Sequence, residues 1–196
     1  APFMAATELI SIPTGVIFLA ALGTVWQSRM RLTTPMWFAL GVVFNFTIGG
    51  LTGIFNADAP TDFHLHDTYW VVGHFHYTLM GGEIFALLAG IYYWFPKITG
   101  RMYNESLGKI HFWITFASFN ALYTPMMLAG LYGMNRRIAD YPPQLANVNM
   151  WMSISGYILA AGFFVFIYNI VVSVRAPASE SNRNPWKLRT LEWQTS

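Results

Sequence analysis

Asp62-Phe63-His64-Leu65-His66-Asp67-Thr68-Tyr69-Trp70-Val71-Val72-Gly73-His74-Phe75-His76-Tyr77 carries four of the five histidines in the chain and the point where a polar segment turns apolar. The apolar run that opens after Asp67 continues to Phe95 with Glu83 as its one formal charge. An α-helix needs roughly 20 such residues to cross a hydrocarbon core about 30 Å thick, so this run predicts a membrane span. His74 and His76 then sit inside it, about two turns from one end. An ionisable side chain at that depth is costly and marks a functional site by default.

The rest of the chain has the same character. It has 196 residues, 55% hydrophobic and 10% charged, with a mean hydropathy of +0.40. A soluble globule carries about a quarter charged residues, so lipid is the expected solvent here. Five runs are long enough to span, at about residues 5–26, 35–55, 68–95, 110–134 and 150–174, with polar or breaker segments between them. No alternating ten-residue barrel strands are visible. The predicted fold is all-α, a polytopic transmembrane helix bundle (residues 1–174) followed by a polar cytoplasmic tail (residues 175–196).

A net charge of +2 is too small for a nucleic-acid surface, and the lack of Cys excludes disulfides, thiolate metal sites, Cys nucleophiles and Cys-linked haem within the chain. No basic stretch with a short apolar core marks a signal peptide at the start, and the chain reads as a piece of something longer. Nine of the eleven Lys and Arg fall in alternate connections, from Arg29 and Arg31 through Lys97, Arg101 and Lys109 to Arg175, Arg183, Lys187 and Arg189. Basic connections stay cytoplasmic, which places the N-terminal end outside and the C-terminus inside. Arg136 and Arg137 break this rule on the outer side, so something other than topology holds them there.

At 100° per residue His74 and His76 project roughly 200° apart, too far to share one metal ion but suited to two sites on opposite flanks of one helix. Imidazole is an axial haem ligand, and two haems on one helix would exchange electrons quickly. The competing reading is a pair of neutral core histidines bonded to neighbouring helices. His66 and Asp67, at the outer interface, can supply two ligands to a divalent cation completed by water or another chain; the alternative is a helix cap beside a solvated imidazole. His64 reads as a loop residue and His111 as structural. Arg136 and Arg137 offer forked donors that match the propionate carboxylates of paired haems, or else form a solvated pair near Asp140.

Glu8 and Glu83 interrupt apolar runs. Thr7, Ser11 and Thr14 share a helical spacing with Glu8 beside them, a stripe suited to ordered water and proton movement unless the hydroxyls bond their own helix. Pro13 and Pro125 should kink their helices, and Gly49, Gly50, Gly53, Gly81, Gly82 and Gly90 suggest close helix contacts.

The run from His66 to Tyr77 resembles the core motif of subunit I of the haem-copper terminal oxidases, the cytochrome c and quinol oxidases. Further matches are Ile12-Pro13-Thr14-Gly15-Val16, Gly49-Gly50-Leu51-Thr52-Gly53, Lys109-Ile110-His111-Phe112, Gly133-Met134-Asn135-Arg136-Arg137 with Asp140-Tyr141-Pro142, and Thr190-Leu191-Glu192-Trp193. They cover nearly the whole chain in the family's order.

The resemblance implies the last five of twelve core helices. It implies His74 as proximal, catalytic ligand of the high-spin haem, His76 as an axial ligand of the low-spin haem, and His66 with Asp67 at a Mg or Mn site shared with subunit II. It also implies Asp62 at a high-spin propionate and Arg136 and Arg137 at the propionates of both haems, with haem A the expected type. The implied reaction is reduction of O2 to water with electrons from cytochrome c or quinol, coupled to proton translocation in a respiratory (cell inner) membrane. The implied partners are subunit II, further oxidase subunits and membrane lipid.

Two departures stand out. The family's copper ligands and the second low-spin haem ligand lie upstream of this region, so the chain does not turn over alone. The family's common Pro-Thr-Gly-X-Lys stretch reads Pro13-Thr14-Gly15-Val16-Ile17, which puts that proton route in doubt and leaves Thr14, Ser11 and Glu8 as candidates for an altered path. Competing readings are a copper-free di-haem electron-transfer cytochrome, a nitric oxide reductase and a transporter without cofactors.

Overall fold

In a computed structural model describing residues 2–177 and 184–194, every regular element is helical. Residues 178–183 of the polar tail, Arg183 among them, and 195–196 fall outside the described residues. The elements are α1 (Pro2–Leu9), α2 (Ser11–Val25), α3 (Thr34–Ala57), α4 (Ala59–Leu65), α5 (Tyr69–Thr78), a π-helical turn (Leu79–Ile84), α6 (Phe85–Thr99), α7 (Glu105–Leu131), a 3-10 turn (Pro143–Leu145), α8 (Ala146–Arg175) and α9 (Leu191–Gln194). They make five helical stretches long and apolar enough to cross a membrane: Pro2–Val25, Thr34–Ala57, Tyr69–Thr99, Glu105–Leu131 and Pro143–Arg175. The protein is an integral membrane bundle.

Prolines act differently at different positions. In the first span the helix breaks at Ile10, next to Leu9, whose carbonyl lies four residues before the Pro13 ring. In α7 the helix runs through Pro125, which cannot donate to the Ala121 carbonyl; Trp151 of α8 donates Nε1–H to that oxygen instead, at 2.9 Å. Pro96, read from sequence as a breaker, lies inside α6, which stops only at Gly100 in the left-handed region, φ 64°. The segment read as a polar loop between the second and third spans holds a helix, α4, with Pro60 in its first turn.

The core lies among α3, α5, α6, α7 and α8, around Phe38, Tyr77, Phe85, Tyr92, Phe112 and Phe119. Small residues set the spacing. A Cβ on Gly130 would collide with the backbone of Trp70, and one on Gly73 with the Met127 side chain, so α5 and α7 touch almost backbone to backbone. Gly81 and Gly82 of the π turn face Asn45 and Phe46 of α3 at similarly short range. The first span packs only loosely against α3, and none of its residues is buried. Beyond α8, the described part of the tail returns to α6: Trp186 donates Nε1–H to the Tyr93 carbonyl at 3.0 Å, and Trp193 to the Tyr93 hydroxyl at 2.7 Å.

Candidate functional site

The third span begins at Thr68. Its Oγ1 accepts from Trp70 N–H at 3.2 Å, capping α5, and donates to the Leu65 carbonyl at 2.6 Å. The same residue forms a bridge with Asn135 in the loop after α7. Tyr69 N–H donates to the Met134 carbonyl and Arg136 N–H to the Asp67 carbonyl, each at 2.9 Å. Asp67 and Arg137 hold left-handed conformations, φ 57° and 61°, on either side of this junction.

The junction brings four predicted site residues together. Arg136 places Nε 2.7 Å from Asp67 Oδ1 and sets Nη2 on the same oxygen. Asp67 Oδ2 lies 3.2 Å from His66 Nε2, and His66 Nδ1 lies 4.0 Å from Asp62 Oδ2. The hydrogen bond from Arg136 holds the Asp67 carboxyl below its ordinary range, helped by the nearby charges of Arg136, His66 and Arg137. Arg137 is exposed and makes no ion pair among the described residues. His64 is exposed on the last turn of α4. Among the described residues no group of three or more His, Cys, Asp and Glu is arranged to hold a metal ion.

One turn and a half further along, the two central histidines face different helices. His74 turns toward α3: its Nδ1 is 3.0 Å from Thr52 Oγ1, and a Cβ on Gly53 would stand 3.2 Å from its Cε1. The Thr52 hydroxyl hydrogen is committed to the carbonyls of Ile48 and Gly49, at 2.8 and 3.0 Å. Its oxygen therefore accepts from Nδ1–H, and Nε2 of His74 keeps its lone pair. His76 turns toward α7, stacked on Tyr123 with ring centroids 4.3 Å apart. Its Nδ1 is 2.8 Å from the Val72 carbonyl, which can only accept, so here too the proton sits on Nδ1 and Nε2 is free. A hydrogen-bonded chain anchors the helix next to His76: Tyr77 donates to Asn120 Oδ1 at 2.9 Å, and Asn120 donates to Asn45 Oδ1 at 3.2 Å.

His74 lines a cavity of about 520 Å³ between α3 and the first span. Thr7, Ser11 and Thr14 line its other wall, whereas Glu8, one helical step away, does not. Thr7 and Thr14 donate to their own helix at the Phe3 and Ile10 carbonyls, so their oxygens face the cavity as acceptors. Ile17 is exposed on another face. Sequence reasoning missed Thr52 and Tyr123. Thr52 stood inside a quoted glycine-rich motif, whose Gly53 leaves room for the His74 ring; Tyr123 carried no local signal.

His111 lies in the core, fully buried with Nδ1 3.0 Å from the Tyr92 hydroxyl, in keeping with a structural role.

The central helix of this membrane bundle turns two imidazoles to different neighbours, one of them at the wall of a cavity, and imidazole nitrogens are atoms able to hold metal-centred groups in lipid. The family model of cytochrome c and quinol oxidase polypeptide I matches residues 1–158, and the chain belongs to that family. It is 49% identical over 194 residues to cytochrome c oxidase subunit 1 of Synechocystis sp., covering 99% of this chain and 35% of the relative. The corresponding protein of Corynebacterium diphtheriae is 46% identical over 193 residues, covering 97% and 34%. The chain thus spans about a third of the length of these curated relatives. A haem-copper terminal oxidase dimer solved by cryo-electron microscopy shares the fold, with a TM-score of 0.68 at 24% identity over 75% of this chain and 28% of that one.

Proposed function

We propose that this chain is the C-terminal part of the catalytic subunit of a respiratory terminal oxidase that reduces O2 to water with electrons from cytochrome c or quinol. The observation that carries the reading is the pair of imidazoles with Nδ1–H fixed by an acceptor and Nε2 left as a ligand atom on different flanks of α5. These residues fit haem. His74 would hold the high-spin haem at the cavity and His76 the low-spin haem beside Tyr123. Haem A is the type proposed, with copper held by residues outside this chain. Bound there, such groups supply the redox chemistry of O2 reduction.

The protein's own residues do the positioning. Thr52 and the Val72 carbonyl set tautomer and ring direction, and the Tyr77–Asn120–Asn45 chain resists rotation of α5. At the outer end, Arg136 spends Nε and Nη2 on Asp67, leaving Nη1 and the whole guanidinium of Arg137 for haem carboxylates, with Asp62 nearby. His66 and Asp67 Oδ2 would give two ligands to Mg or Mn, completed by subunit II. Thr7, Ser11 and Thr14 would hold water along the cavity wall as a proton path in place of the family lysine. The orientation proposed is N-terminal end outside and C-terminus cytoplasmic, in the cell inner membrane.

Oxygen consumption by the full-length protein with its subunits tests this. His74→Asn should abolish it while the complex still assembles; retained turnover would reject the assignment.

A further inference from the structure

We propose that Glu83 is a proton-exchanging carboxyl group at the bilayer midplane, linked to the oxidation state of the site at His76. The inference rests on the functional reading above and on a residue which that reading leaves unused. Glu83 stands near the middle of the 31-residue span Tyr69–Thr99, inside the π-helical turn Leu79–Ile84. Such turns are rare and recur at functional sites. Packing sets the direction of the side chain. Cβ atoms on Gly81 and Gly82 would stand 2.7 Å from Asn45 Cβ and 2.9 Å from Phe46 Cδ2, so this part of the turn lies against α3. Phe85 is fully buried against Phe38 of α3 and Phe119 of α7. Glu83, between these contacts, is turned away from both helices, on a strip with Phe75, Leu79 and Leu87 at four-residue spacing. The strip starts beside His76, whose ring stacks on Phe75 with centroids 4.6 Å apart. Lipid or a further helix over it leaves the depth of the carboxyl group unchanged.

Glu83 makes no hydrogen bond or ion pair among the described residues. No cation of this chain lies at its depth: Lys97, Lys109 and Arg175, the Lys and Arg within the spans, sit near span ends. Among the elements packed around the turn, α3 carries no titratable side chain. Tyr77 is held by Asn120 and Thr124, Tyr92 by His111, and Tyr123 of α7 stacks on His76. A charge at the midplane is costly, so a charge that comes and goes nearby governs whether the carboxyl group holds a proton. His76 is seven residues away, about 10 Å along a helix axis. At that separation one unit charge alters the binding of another on the order of tenfold, for an effective dielectric constant of about 20. When one electron from the donor reaches the site at His76, the Glu83 carboxylate takes one proton from solvent and becomes the neutral acid. When the electron moves on, the O–H bond breaks and the proton returns to solvent.

Infrared difference spectroscopy, reduced minus oxidised, on the full-length protein purified with its subunits and grown on carbon-13 glutamate tests this. Reduction should raise a glutamic acid C=O band that shifts in heavy water. Glu83→Gln should abolish that band, and Glu83→Asp should restore a carboxyl band at a displaced frequency. A redox titration of the low-spin bands gives the reciprocal reading, because proton and electron affect each other equally. In the unmodified protein the midpoint potential should fall as pH rises, by about 59 mV in all for one electron and a tenfold linkage, and this step should be missing from Glu83→Gln. An intact low-spin spectrum with no glutamic acid band in the unmodified protein, or a band and a pH step that both survive Glu83→Gln, would overturn this proposal alone. A low-spin spectrum that survives His76→Ala would overturn the functional reading and this proposal with it.

Discussion

Arg136 and Asp67, 69 positions apart in the chain, meet at one end of the bundle with Nε 2.7 Å from Oδ1, and their backbones are joined by a bond from Arg136 N–H to the Asp67 carbonyl. This contact fixes the entry of the histidine-bearing helix against the exit of α7. Because Arg136 depresses the Asp67 pKa, the stabilisation it gives is present above the ordinary carboxylate range and is lost as pH falls through the lowered native value. Hydrogen exchange in the presence of a chelator should show the Tyr69 and Arg136 amides protected at neutral pH and opening only at strongly acid pH. In Arg136→Gln the opening should move to higher pH; an unmoved profile would show that the pair does not hold the junction.

The Trp151 bond to the Ala121 carbonyl exists because Pro125 cannot donate there. Trp151→Phe should cost about 0.5–1.5 kcal/mol in the wild-type background. In a Pro125→Ala background the carbonyl regains a helical donor and the cost should shrink. A double-mutant cycle on thermal unfolding measures the coupling.

Helix spacing at Gly130 is set by the Trp70 backbone, which cannot move aside. Gly130→Ala should therefore destabilise the bundle at or above the usual overpacking cost of about 1–3 kcal/mol. Gly156→Ala is the control, since its Cβ would approach only Leu122, at 4.0 Å. Similar melting of the two variants would contradict the packing described for α5 and α7.

Asn120 bridges Tyr77 and Asn45, and Asn45 is fully buried. Asn120→Ala should leave the Asn45 Oδ1 without this donor at about 1–3 kcal/mol, while the Tyr77 hydroxyl keeps Thr124 Oγ1 at 2.7 Å. If the network also sets the rotation of α5, the same variant will perturb the optical spectrum of the assembled protein.

Hydropathy alone located the five spans, because lipid demands long uninterrupted apolar helices whatever the tertiary contacts. The ends were harder to read. The segments that hold Pro60 and Pro96 read as connections between spans, yet Pro60 lies in the first turn of α4 and Pro96 is carried inside α6, since a proline's effect depends on which carbonyl it leaves unpaired. The divergence of His74 and His76 followed from helical geometry. Their anchors did not: Thr52 and Tyr123 lie on other helices, and no periodicity within one segment reports a contact between two. Nor could spacing reveal that Asp67 and Arg136, assigned separate tasks, also hold each other. Thr7, Ser11 and Thr14 reached the cavity as their stripe required, and Glu8 fell off it by one helical step.

The most direct measurement is the optical spectrum of the intact, full-length protein carrying either His74→Ala or His76→Ala. The first substitution should remove the oxygen-reactive high-spin signal and keep the low-spin bands, and the second should do the reverse. Both spectra surviving both substitutions, or both signals vanishing together from an assembled protein, would contradict one haem on each flank of this helix.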